Sequence, residues 1–310
     1  MSLPEIPVHP DPSTGFELMC RDWKNIVLSV APDLNDYYWN TFPGENTLAA
    51  DSSNIFWIHS HPLDPNLKNL LDPEFFIHFK AFVFVSNWQY EQFGRMYSLP
   101  TEKCYVIKNA IQPFEVHQKP KTDKIKIIYH ANPFKGLDIL LEALKFIPDQ
   151  NIEVHLYTDL MQRYQIIQAL FDMAKKDQRV IIHGAQPNSV VRKALEEMHI
   201  FAYPATTLEP SSVCAMEALA AGCSVLTSNI AGLPETCAGL ARQYGCIYNN
   251  RDAHISRFAD ELSKTIQEYR SGKFDNKLQV QIANQLFSWE TRKQDWIELD
   301  KQLWKNPYAN

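Results

Sequence analysis

From Lys121 onward the chain alternates short apolar runs with amphipathic stretches, and that alternation limits the fold more than any other feature. The runs Ile125–Tyr129, Ile152–Tyr157, Val180–His183, Ile200–Tyr203 and Val225–Thr227 read as buried parallel strands. Between them, amphipathic stretches near Leu137–Ile147, Tyr164–Lys175 and Ser189–Met198 read as helices. Such a pattern builds a doubly wound α/β domain, in which ligands gather beyond the carboxyl ends of the strands. Lys135 and Glu209 both fall just after such ends, so one crevice can hold both.

The first 120 residues are sparser. After a proline-rich beginning, apolar runs occur at Ile26–Val30, Ile55–Ile58, Ala81–Val85 and Tyr105–Ile107, and a reduced α/β domain is expected. Gln112–Asp123, with its prolines and charges, is the expected interdomain linker. Helices are expected at His254–Arg270 and Trp289–Trp304. No internal sequence repeat is evident.

Glu209-Pro-Ser-Ser-Val-Cys-Ala-Met-Glu217 concentrates the chemistry. An apolar strand runs into a polar loop carrying Glu209, and a helical run over Val213–Ala221 follows and stops at Gly222. Ser211 or Ser212 is a natural N-cap, Pro210 lies just outside, and Gly222 suits the position after the last turn. The free amides and dipole of that helix start favour an anion. The bland alternative is that one glutamate is a first-turn charge. Against it, Glu217 lies in an otherwise apolar helix, where a carboxylate is costly unless paired.

Leu208–Thr236 as a whole resembles the donor-site signature of retaining GT-B glycosyltransferases, the glycosyl transferases group 1 family: Glu-x7-Glu, then Glu-Ala-x-Ala-x-Gly, a strand, and Gly-x-Pro-Glu. Further similarities follow in order. Tyr105-Val-Ile-Lys-Asn-Ala-Ile resembles the strand and Pro-Asn-Gly linker, with Lys108 and Ala110 replacing Pro and Gly. Lys124–Ala143 resembles the first C-domain strand, Lys-Gly loop and helix, and Phe287-Ser-Trp-Glu the opening of the final helix. The resemblance covers the last two thirds of the chain well and the first third poorly.

It implies an α/β GT-B architecture: two Rossmann-like domains facing across a cleft, the N-terminal one reduced. The expected domains are 1–120 on the acceptor side, 121–288 holding the nucleotide-sugar, and a helix at 289–310 returning to the first domain. The implied activity is transfer of a hexose-type unit from a nucleoside-diphosphate sugar to an acceptor hydroxyl, with retained configuration. Glu209 is expected to bind sugar hydroxyls in the transition state, and Glu217 the ribose. Lys135 and Gly136, with Ser211, Ser212 and Val213, are expected to hold the diphosphate, the lysine supplying charge and the glycine close approach. The family motif commonly adds an arginine one loop before the lysine; here His130 and Asn132 stand there.

In the first domain, Asn54-Ile-Phe-Trp-Ile-His-Ser-His-Pro places His59 at a strand end, where the family keeps a histidine near sugar and acceptor. His59 is expected at the site, with His61 as its close rival, although a strand-end histidine is more often structural. Gly232-Leu-Pro-Glu235 is expected to border the sugar pocket, with Glu235 readable equally as a first-turn charge. Tyr157-Thr158-Asp159 is a candidate for the base pocket, and Ser86-Asn87 reads as a helix cap. No Asp-x-Asp follows a strand, so neither metal nor cofactor is expected.

Composition narrows the partners. Apolar residues make up 45% of the 310, charged residues 21%, and net charge is −6, which disfavours bulk nucleic-acid binding. No run has the length to cross a bilayer, and Met1–Asp11 is too rich in proline and acid for a signal peptide. The six cysteines lack Cys-x-x-Cys spacing and suggest neither disulfides nor zinc, so a cytoplasmic setting is expected. The acceptor, whether glycan, lipid-linked or protein, is left open, as is peripheral membrane contact. Rival readings are an epimerase or phosphorylase on the same architecture, or a non-catalytic nucleotide-sugar-binding partner subunit. A dinucleotide dehydrogenase is excluded because no Gly-x-Gly-x-x-Gly follows a strand.

Overall fold

The computed structural model describes residues 15–40, 54–160, 165–272 and 274–305. The expectation about Met1–Asp11 lies outside them. The chain divides into two compact units, one of residues 1–111 with 287–310, the other of residues 112–286.

The first unit is built on a parallel sheet in the order β1-β2-β3-β4, formed by β1 (Tyr38–Asn40), β2 (Asn54–Ile58), β3 (Phe79–Phe84) and β4 (Cys104–Val106). Every residue of β2 is buried, because both faces of the sheet are covered. On one face Phe56, Ile58, Phe82 and Phe84 pack with Leu67, Leu70 and Phe93, the last from helix α2 (Asn87–Met96). On the other, Trp57 meets Trp23, Trp39 and Trp296 at ring separations of 5.3 to 6.2 Å. Trp296 comes from α10 (Trp289–Lys305), which starts beside Ile111, whose amide donates to Phe287 O at 2.8 Å.

One apolar run of this unit forms no strand. Ile26–Val30 follows helix α1 (Gly15–Asp22) as a π-helical turn over Trp23–Val27 and then a tight turn. Trp23 and Val27 are the buried positions, four apart, which is a helical and not an alternating period.

The second unit carries a parallel sheet in the order β10-β9-β8-β5-β6-β7. Its strands are β5 (Ile125–Tyr129), β6 (Ile152–Leu156), β7 (Val180–Ile182), β8 (Ile200–Tyr203), β9 (Ser224–Ser228) and β10 (Arg242–Tyr244). The chain proceeds outward from β5 to β7, then returns to the centre and proceeds the other way. β5 and β8 are therefore neighbours, with Ile127 opposite Ile200 and Ile128 opposite Phe201, and the order reverses between them. Loops diverge at such a reversal and leave a crevice. The helices are α3 (Leu137–Ala143), α4 (Gln165–Lys176), α5 (Asn188–Glu197), α6 (Val213–Ala220), α7 (Leu233–Cys237), α8 (Arg251–Arg270) and α9 (Asn276–Phe287). β10 and α9 are elements for which the sequence reading made no provision. No helix among the described residues is long and apolar enough to cross a membrane.

Candidate active site

The loops that follow β5 and β8 meet beyond the junction of those strands, and each brings one charged group there. After β8, Glu209 is buried to 6% exposure, and its Oε2 accepts from the Tyr203 hydroxyl at 2.8 Å and the Lys135 ammonium at 2.5 Å. Burial pushes the Tyr203 phenol well above its ordinary range, with Glu209 adding to the effect, so the tyrosine is a fixed donor. For Lys135, burial opposes the charge but the Glu209 carboxylate outweighs it, and the pKa is held above the ordinary lysine value. Lys135 thus keeps its positive charge at neutral pH. An ammonium carries three donors, so engagement with one carboxylate oxygen does not exhaust it.

Two glycines let the loops come this close. Gly136, at φ +100° ahead of α3, leaves so little room that a Cβ would stand 2.0 Å from Pro204 O. A side chain there would clash and be strained as well. Gly232 donates to Glu209 O at 2.9 Å, and a Cβ on it would stand 2.0 Å from Pro210 O. The Gly-Leu-Pro-Glu turn is thereby locked onto the backbone that carries Glu209. Glu235 sits half-buried in the first turn of α7.

α6 begins at the same place. Ser212 is its N-cap, with Oγ accepting from Ala215 N at 3.3 Å, and Ser211 and Val213 flank it. Glu217 is only 3% exposed on this apolar helix. The cost of burying it is met from α5: Asn188 Nδ2 donates to Glu217 Oε1 at 2.9 Å, and Arg192 Nη1 lies 3.6 Å from the same oxygen.

The loop after β5 lacks a second cation. The His130 ring packs on Phe201 at 4.8 Å, and burial lowers its pKa to about 4, so it is neutral. Its carbonyl accepts from the Cys214 thiol at 3.3 Å, while burial pushes that thiol up to about 12. Asn132 shapes the turn, its Oδ1 accepting from Phe134 N at 3.0 Å and its carbonyl from the Tyr129 hydroxyl at 2.7 Å. Beyond β6, Tyr157 stacks flat on His183 at 4.1 Å, and Thr158 is tied to Ala131 O. Asp159 follows in the same loop.

His59 and His61 belong to the first unit. His59 follows β2 and nests between Phe16 and Trp57, at 5.0 and 4.6 Å. Burial lowers its pKa to about 3, and its Nε2 is buried with no partner among the described residues. His61 shapes a turn, Nδ1 accepting from Leu63 N at 3.2 Å. Gln89 of α2 holds the loop between them, donating to Ile58 O at 3.1 Å and Ser60 O at 2.7 Å. Ser86 caps α2 by accepting from Gln89 N.

The sequence reading missed Tyr203, Asn188, Arg192 and Gln89. Tyr203 carried a signal, as a polar-tipped residue closing an apolar strand; the other three are ordinary helix residues.

Residues 125–268 match the family model described as glycosyl transferases group 1. No curated protein matches the chain. Among solved structures it is similar to a glycosyltransferase from Rickettsia africae, at 14% identity and TM-score 0.70, over 97% of this chain and 85% of that one. It is also similar to HepE of Anabaena in complex with UDP and glucose, at 15% identity and TM-score 0.65, over 83% of this chain and 72% of that one. Sucrose-phosphate synthase from Thermosynechococcus elongatus gives 15% identity and TM-score 0.64, over 81% and 68%. These likenesses establish an α/β fold of the GT-B class, with parallel sheets and a small N-terminal unit.

Proposed function

We propose that the chain is a retaining, metal-independent glycosyltransferase that moves a hexose-type unit from a nucleoside-diphosphate sugar to an acceptor hydroxyl, in a cytoplasmic setting. One observation carries the reading: the hydrogen-bonded Lys135–Glu209 pair sits at the strand-order reversal, beside the start of α6 and the buried Glu217. The family match over residues 125–268 supports it, as does the UDP and glucose held by HepE.

Breaking the bond from sugar C1 to the diphosphate leaves negative charge on the departing oxygen. Lys135 and the amides at Ser211–Val213 stabilise that charge, and preorganised donors of this kind are the strongest single contribution in many enzymes. Glu209 holds sugar hydroxyls as C1 becomes electron-poor, and Glu217 accepts from the ribose. The acceptor oxygen bonds to C1 on the face the diphosphate leaves, and its proton passes to the departing diphosphate. On the acceptor side, His59 acts as a neutral hydrogen-bonding ring, because a group with a pKa near 3 shuttles no protons at neutral pH.

The test is a panel of UDP-, GDP- and ADP-sugars against glycan, lipid-linked and peptide acceptors, run with and without EDTA. The expected result is sugar transfer with retained configuration, unchanged by chelation. Loss of activity in EDTA that magnesium or manganese restores would overturn the metal-independent mechanism. Conversion of donor without acceptor would favour an epimerase, and binding without any turnover a non-catalytic subunit.

A further inference from the structure

Arg192 lies at the centre of a set of contacts that the proposed reaction does not itself require. Its Nη1 donates to Gln112 O at 3.1 Å and its Nη2 to Pro113 O at 2.8 Å. The guanidinium stacks on the Phe114 ring with 3.7 Å from Cζ to the centroid. Phe114 is clipped at both backbone polar groups by Asn284, which accepts from its N at 3.0 Å and donates to its O at 2.7 Å. The same Nη1 also lies 3.6 Å from Glu217 Oε1, beside the 2.9 Å hydrogen bond that this oxygen accepts from Asn188. Asn188 and Arg192 stand four apart on α5, so one face of that helix supplies both groups. All these residues belong to the second unit.

A buried carboxylate on an apolar helix can turn about its terminal torsion unless something fixes it. Here one oxygen is fixed by an amide donor and a planar cation, while the cation is itself immobilised by two carbonyls and a ring. The arrangement is stiffer than one Glu–Arg pair, because three of its partners are backbone or aromatic groups. A carboxylate has about four acceptor positions, and anchoring one oxygen sets the direction in which the others point.

We infer that Asn188 and Arg192 are positioning residues for the nucleotide: they aim the Glu217 carboxylate at the ribose hydroxyls, and Arg192 ties that aim to the backbone of Gln112–Phe114. This rests on the proposed role of Glu217. The specificity it implies is for a nucleotide with both ribose hydroxyls present. In the proposed reaction both residues act through Glu217 and not on the sugar or diphosphate, so their loss acts on nucleotide affinity and leaves turnover at saturating donor nearly intact.

The experiment is titration of the wild type, Asn188→Ala, Arg192→Lys, Arg192→Met and Glu217→Gln with UDP, GDP, ADP and their 2′,3′-dideoxy counterparts. Asn188 is half-buried at the first turn of α5, so its truncation leaves the packing intact. The wild type is expected to bind one ribonucleotide better than its dideoxy form. Asn188→Ala should weaken that ribonucleotide about tenfold, as expected for a lost hydrogen bond to a charged group, and leave the dideoxy form unchanged. Arg192→Lys, which keeps the charge, should retain more of the preference than Arg192→Met. In kinetics the loss should appear in donor KM and not in kcat. If wild type and Glu217→Gln bind both forms equally, or wild type binds none, the ribose role of Glu217 fails and this inference with it. If Glu217→Gln abolishes the preference but Asn188→Ala and Arg192→Met keep it, the positioning inference alone is overturned. Equal weakening of both forms in Asn188→Ala would show a merely structural role and also overturn it.

Discussion

In each unit an inner strand of the sheet is followed by a half-buried, neutral histidine, and the two rings keep different company. His59 follows β2 into a nest of Phe16 and Trp57, with its pKa lowered to about 3. His130 follows β5 onto Phe201, with its pKa lowered to about 4. Neither Nε2 has a partner among the described residues. What differs is the loop beyond. After His130 the chain reaches Lys135 and its bond to Glu209, whereas after His59 it turns through Ser60 and His61 under the grip of Gln89. Similar strand ends thus lead into different loops: one carrying a Lys–Glu contact in the second unit, one of neutral polar and aromatic groups in the first. In the proposed reaction, the charge that a diphosphate needs would come from loop residues and not from strand termini.

The comparison breaks most strongly at the aromatic nest. Trp57→Ala should cost about 3–5 kcal/mol of stability, the range for deleting a fully buried large side chain. Urea denaturation of wild type and variant measures it. Because Trp57 packs within the first unit, nucleotide affinity in the second should survive under native conditions. Parallel loss of nucleotide binding would show that the units do not divide the work in this way.

The next largest effect belongs to the charged loop. Lys135→Ala should slow transfer by about 10²–10³-fold, as removal of a preorganised electrostatic donor does. It should weaken UDP far more than uridine, because only the diphosphate loses a partner. Isothermal titration with both ligands checks this. Equal losses would refute the phosphate role and leave Lys135 as the counter-ion of Glu209 alone.

Much of this division was legible in the chain. β5, β6, β8 and β9 were found because each is an apolar run covered on both faces, and Lys135 and Glu209 because they stand just past two of those runs. β10 escaped because Arg242-Gln-Tyr has no apolar pattern; it pairs at the sheet edge along β9. α9 escaped because Leu278, Ile282 and Leu286 are exposed, so its apolar residues do not mark one buried stripe. The run Ile26–Val30 suggests no particular element because a short apolar run carries no period of its own; the π-helical turn Trp23–Val27 takes in its first two residues. The pairing demanded by a carboxylate at position 217 was foreseeable, but its partners come from α5, with Asn188 lying 29 residues away. The histidine replacing the family's arginine was visible in the sequence, yet its neutrality depends on burial against β8, which no local pattern reports.

The smallest effect is the sharpest test of the neutral histidine. His59→Ala should leave the donor dissociation constant unchanged and slow transfer about tenfold, the size of one lost hydrogen bond and not of a lost proton shuttle. His61→Ala, a turn-shaping change, should be milder. The pH dependence separates the two roles. An unfolded histidine takes up a proton below about 6.5, whereas folded His59 stays neutral down to about 3. Between those values the unfolded chain binds more protons, so stability is fully present above the upper value and is lost as pH falls. His59→Phe keeps the aromatic packing and removes that uptake, so it should lose less stability than wild type between about pH 7 and 4. Denaturant midpoints across that window measure the difference. Identical acid losses in the two proteins would mean that His59 is not held neutral by its nest, and proton transfer would return as its role.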